Sequence, residues 1–130
     1  MMVINIPTNQ DLVYKQYLTI LNSILADSKL SPLEIDVLAS LLFIHNLYIS
    51  KGQEAANKIT FHKETKSRIR QKISQDLKSV FSVQSFNNTM MKLRNKGFIT
   101  DKTIKHKVPF TKTGVTIIFN LNLKDEVNTT

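Results

Sequence analysis

Three observations in the sequence predict a single α+β domain. Apolar residues recur at helical spacing in two blocks, from Leu12 to Ile44 and from Ile69 to Leu93. After Gly97 the period shortens to two, with Val115, Ile117, Phe119, Leu121 and Leu123 alternating with other residues. The bases crowd into one half of the chain. Residues 58–112 hold 14 of the 18 Lys and Arg but only Glu64, Asp76 and Asp101 among the acids, a net +11 against −3 for the remainder. Such an asymmetry suits a polyanion-binding surface.

A chain of 130 residues with 42% hydrophobic content supports one core. The absence of cysteine excludes disulfides, thiol catalysis, iron–sulfur clusters and thiolate zinc sites. No uninterrupted apolar run approaches the roughly 20 residues that span a bilayer. The start, Met1 to Pro7, lacks a basic segment followed by a long apolar one, so a soluble cytoplasmic chain is expected.

The elements follow in order. Val3-Ile4-Asn5-Ile6 has strand character and stops at Pro7. Thr8 and Asp11 form a weak capping box before a helix expected over about residues 10–26, with Leu12, Tyr14, Tyr17, Leu18, Leu21, Ile24 and Leu25 at helical spacing. Ser31-Pro32-Leu33-Glu34 is the strongest start signal. It places a hydroxyl at the N-cap, a proline at the first helical position and a carboxylate at the third, with Leu30 and Ile35 as a hydrophobic staple. The second helix runs to near Ser50 and is apolar nearly all round, which predicts central burial. Residues 53–57 read as a surface loop and Lys58-Ile59-Thr60-Phe61 as a short strand.

A third helix is expected over 66–79, with Ile69, Ile73, Leu77 and Val80 facing inward. Ser82 then caps a fourth helix over 83–96, where Met90 and Leu93 fall about 40° and −20° from Phe86 on one apolar face. Gly97 suits the position just past that helix. Phe98-Ile99-Thr100 opens a strand, 114–123 forms a long one, and the basic segment 101–113 between them reads as a long hairpin. Residues 124–130 read as a polar tail.

Helix, helix, short strand, helix, tight turn, helix and hairpin is the order of a winged helix-turn-helix: four helices, a short strand and a C-terminal basic β-hairpin wing. The local sequence adds to this. Phe81-Ser82-Val83-Gln84-Ser85-Phe86 entering the fourth helix and Leu93-Arg94-Asn95-Lys96-Gly97-Phe98-Ile99 leaving it resemble the recognition helix and wing entry of MarR-like proteins. Leu30 to Leu38 is similar to the early buried helix of that superfamily. The resemblance covers residues 30–123 as a winged-helix core, with 1–29 as an N-terminal strand and helix. No helix is expected after the final strand, which is a departure from the MarR pattern. Its small, lysine-rich character is closer to the winged-helix proteins that bacteriophages encode.

The resemblance implies double-stranded DNA as partner, with the fourth helix in the major groove and the wing on the backbone or minor groove. Gln84, Asn87 and Asn88 would meet base edges, since their amides match adenine N6 and N7. Ser85 and Lys92, together with Arg68, Arg70 and Lys72 on the third helix, would take phosphates. Lys102, Lys105, Lys107 and Lys112 belong to the wing. Catalysis finds no foothold in the sequence. His45 lies in an apolar helix and reads as a packed core residue, His62 and His106 are isolated, and no Gly-rich phosphate loop occurs. No metal or cofactor is expected.

The leading expectation is a small transcriptional regulator. The alternative is a phage virion component, a connector, neck or tail protein, in which the Val3–Ile6 strand joins a neighbouring sheet edge and the basic face meets packaged DNA or acidic subunits. Either use is compatible with a homo-oligomer or with other subunits.

Overall fold

The computed structural model describes residues 2–7, 15, 18–19, 30–105, 107–109 and 115–120. Between residues 30 and 105 it shows four helices: α1 (Pro32–Tyr48), α2 (Gln53–Thr60), α3 (Lys63–Leu77) and α4 (Val83–Asn95). A single 3-10 turn, Ile49–Lys51, links α1 to α2. Lys15, Leu18 and Thr19 are helical, and the Thr19 hydroxyl donates to the Lys15 carbonyl at 2.7 Å. The rest of the helix expected over 10–26 lies outside the described residues.

The local start and stop signals act as the sequence implies. The Ser31 hydroxyl accepts from the Glu34 amide at 3.2 Å, with Pro32 at the first helical position and Leu30 and Ile35 both buried. The Ser82 hydroxyl accepts from the Ser85 amide at 3.1 Å. Gly97, at φ 87°, closes α4: its amide donates to the Arg94 carbonyl and the Phe98 amide to the Leu93 carbonyl. Phe98 and Leu93, the apolar pair that accompanies this closure, are both buried.

Central burial of α1 holds. Val37, Leu38, Leu41 and Leu42 are fully buried, in one cluster with Ile69 and Ile73 of α3, Phe86, Met90 and Leu93 of α4, and Phe81, Phe98, Ile99 and Ile104. The segment Pro32–Lys51 is 20 residues long at mean hydropathy 1.4, enough by length and composition to cross a bilayer. Ile35, Val37, Leu38, Leu41, Leu42 and Ile49 of this segment are buried within the protein while Leu47 stays exposed, and it carries Glu34 and His45, both buried.

The winged-helix class is corrected. The body from residue 30 to 105 is helical and contains no strand, only an isolated bridge between Ile99 and Ile104, so no β-hairpin wing follows α4 there. Two local causes are visible. The strand expected at 58–61 and the loop expected at 53–57 are one helix, α2, in which Ala56 and Thr60 are buried one turn apart and the Thr60 hydroxyl donates to the Ala56 carbonyl at 2.7 Å. The β-propensity of Ile59-Thr60-Phe61 yields to the burial of that face against α1. The strand expected to open at Phe98 is closed within three residues by a tight turn. The Thr100 hydroxyl accepts from the Thr103 amide at 3.0 Å, and the Thr100 amide donates to the Thr103 carbonyl at 2.9 Å.

Outside that body three short strands are described, β1 (Met2–Pro7), β2 (Lys107–Pro109) and β3 (Val115–Asn120), in the order β1-β3-β2. β1 runs parallel to β3, pairing Ile4 with Ile117, and β2 runs antiparallel to it, pairing Val108 with Ile117. The N-terminal strand thus pairs with the chain's own C-terminal strand, and Phe98–Thr100 takes no part in the sheet.

The inward stripe of α3 is also shorter than its spacing implies. Ile69 and Ile73 are buried, but Leu77 is 48% and Val80 88% exposed. The helix ends at Leu77 because Lys78 turns left-handed at φ 54°, so extrapolating the helical period to Val80 fails.

Candidate nucleic-acid interface

The interface is built on two helices and the turn between them. α3 and α4 are joined by Lys78-Ser79-Val80-Phe81-Ser82. The α3 end is closed by hydrogen bonds from the Lys78 amide to the Gln75 carbonyl and from the Ser79 amide to the Ser74 carbonyl. The turn is then tied back to α3 through Phe81, whose ring is buried against Phe86 in an edge-on contact at 5.9 Å. The Phe81 amide donates to the Ser74 hydroxyl and its carbonyl accepts from Arg70 Nη1, both at 2.9 Å. Two α3 side chains therefore satisfy both backbone groups of the residue that sets the entry of α4.

Of the residues expected to contact DNA, Arg68 and Lys72 are exposed on α3. Arg70 is half-buried and hydrogen-bonded to the turn, so its place is to hold α4 rather than to reach out. Gln84, Ser85, Asn87, Asn88 and Lys92 are all exposed on α4. Lys102 and Lys105 are exposed in and after the Thr100–Thr103 turn rather than on a wing. Lys107 belongs to β2, and Lys112 lies outside the described residues.

Electrostatics sort the bases further. Arg94 pairs with Asp101 at 3.3 Å, across the end of α4. Lys96 contacts Glu34, whose side chain is 4% exposed. These two bases are spent on internal contacts. Arg68 and Lys72 share with Asp36 and Asp76 the lining of a cleft of about 430 Å³ between α1 and α3, floored by Phe43, Ile44, Ile69 and Ile73. α4 itself contains no acid, and both charges of its last turn, Lys92 and Arg94, are positive.

Two contributors escaped the sequence reading. Lys78 is exposed at the turn and held left-handed, a conformation that ordinarily selects glycine. Nothing in the sequence signals it, because the apolar spacing continues through Leu77 and Val80. His62 caps α3, its Nδ1 accepting from the Glu64 amide at 3.1 Å; a histidine just before Lys-Glu is a faint cue.

His45 is fully buried, as its apolar helix implied. Burial holds its imidazole below the usual histidine range, with the Asn57 side chain opposing part of that shift. Among the described residues, no hydrogen bond of standard length and angle reaches either ring nitrogen. Asn57 Oδ1 in turn accepts from the Ile104 amide at 3.2 Å, which anchors the turn that carries Lys102.

No family model, curated protein or solved structure matches the chain.

Proposed function

We propose that the protein binds double-stranded DNA in a sequence-dependent way, as a small transcriptional regulator would. The exposed face of α4 enters the major groove, and Arg68, Lys72, Lys92, Lys102 and Lys105 meet phosphates. One observation carries this reading: α4 is free of acids and presents Gln84, Asn87 and Asn88 to solvent, and α3 and the turns on either side of α4 carry exposed cations. Amides have both a donor and an acceptor to offer to base edges, whereas lysines supply sequence-blind attraction. The alternative, a phage virion component, would use the same basic face, with β1 standing at one edge of the sheet β1-β3-β2.

Fluorescence anisotropy with a labelled 30-base-pair duplex at 50 and 200 mM salt tests the proposal. Five phosphate contacts give a slope of about −4.5 in log K against log salt, hence about 500-fold weaker binding at the higher salt. Binding that is micromolar or weaker at 50 mM, with no salt slope, would overturn it.

A further inference from the structure

The amides of α4 surround an exposed methionine. Taking about 100° per residue, Gln84, Asn87, Asn88 and Asn95 all lie within about 60° of Met91 around the helix axis. Met91 is 46% exposed, and the four amide residues are exposed with it. The opposite side of the helix, with Phe86, Thr89, Met90 and Leu93, is buried. From Gln84 to Met91 the stripe carries no charge; Arg94 also lies about 60° from Met91 but is paired with Asp101, and Lys92 lies about 100° from it. From Gln84 to Met91 the stripe runs about 10 Å along the axis, comparable to the width of a major groove.

That pattern is poor for phosphate and poor for guanine. Phosphates are met by cations, and the guanine O6 and N7 pair of acceptors is matched by arginine or lysine. Amides match adenine N6 and N7, and an apolar tip among them matches the one apolar group in the major groove, the thymine 5-methyl. A flexible thioether adapts to a methyl without demanding one fixed geometry.

Resting on the DNA-binding reading above, we infer that α4 reads A·T pairs in the major groove, with Met91 in contact with a thymine 5-methyl group and Gln84, Asn87 and Asn88 on the adjacent adenines. Met91 thereby becomes a specificity residue that senses a group absent from uracil.

The test begins with selection from 30-base-pair duplexes randomised over the central 14 pairs. The best binder is then resynthesised with deoxyuridine replacing each thymine in turn, a change that removes only the methyl group. Selected duplexes carry a run of A·T pairs. One thymine-to-uracil change weakens the wild-type protein about fourfold, the worth of one buried methyl group. Met91→Ala binds the methylated and unmethylated duplexes equally. Asn88→Ala loses about 5- to 100-fold in preference for one adenine.

Several results overturn the inference. Selected sites rich in G·C, or no enrichment at all while binding keeps its steep salt slope, remove A·T reading and leave DNA binding standing. Equal uracil sensitivity in the wild type and in Met91→Ala removes Met91 as the sensor. A fall in mass by light scattering for Met91→Ala, with uracil discrimination intact, assigns that side chain to a subunit contact instead. Failure to bind any duplex at 50 mM salt removes the DNA-binding reading itself.

Discussion

Replacing Lys96 with Met strips the counter-charge from Glu34, and the cost can be worked from where the two side chains sit. Glu34 is 4% exposed and lies in the first turn of α1; Lys96 caps α4 with its side chain 32% exposed. Removing one partner of a fully buried ion pair costs about 3–5 kcal/mol. Two features reduce that figure here. The N-terminus of α1 favours a carboxylate by about 0.3–1 kcal/mol, and the partly exposed ammonium shows that water reaches one side of the pair. We expect a loss of about 2 kcal/mol for Lys96→Met. Glu34→Gln leaves behind a lysine that already has access to solvent and should cost about 1 kcal/mol. The double variant should lose less than the sum, with a coupling of about 1 kcal/mol. Urea unfolding followed by circular dichroism measures this, since 2 kcal/mol moves the midpoint by about 1 M when m is about 2 kcal/mol/M. A coupling below about 0.3 kcal/mol, the level of independent sites, would refute the reasoning, as would a Glu34→Gln variant less stable than Lys96→Met.

Three further outcomes follow from the geometry. Arg68→Ala should reduce the salt slope of DNA binding by about 1 and leave thermal stability unchanged, whereas Arg70→Ala should lower stability by about 1–2 kcal/mol by leaving the Phe81 carbonyl without its donor; anisotropy paired with thermal melts separates the two. Lys78→Gly relieves a left-handed lysine worth about 1–2 kcal/mol but adds about 0.5–1 kcal/mol of chain entropy, so the variant should be more stable by about 0.5 kcal/mol while binding DNA more weakly. For His45 the folded state disfavours the proton, so the unfolded chain binds more protons below the ordinary value of 6.5. Stability contributed by this residue is complete above that pH and falls as pH drops through it, by at most about 1.4 kcal/mol per unit. Melts between pH 5.5 and 7.5 should show that slope in the wild type and lose it in His45→Leu.

Much of the helical framework was legible because its signals close locally. Ser31, Ser82 and Gly97 satisfy backbone groups within five residues of themselves, so their roles could be read without a partner segment. The candidate interface was legible where exposure follows from helical phase, as with Gln84, Asn87 and Asn88 opposite Phe86 and Leu93. It was not legible where a base has a contact the sequence does not announce. Arg70 is indistinguishable from Arg68 by composition and spacing, and only the approach of the Phe81 carbonyl, eleven residues on, makes it a brace.

The sequence by itself determined where α1 and α4 begin and end, which of their faces are apolar, and that positive charge gathers after residue 57. Tertiary structure decided the rest. Residues 53–60 are a helix because Ala56 and Thr60 can bury against α1, a choice that β-branched composition alone points the other way. The segment after α4 turns at Thr100 instead of extending into a wing. Glu34 and Lys96 meet across 62 positions of chain, and Asn57 holds Ile104 across 47. A cap or a helical face needs only neighbours within a turn or two. A strand, an ion pair or a brace needs a partner delivered by the fold.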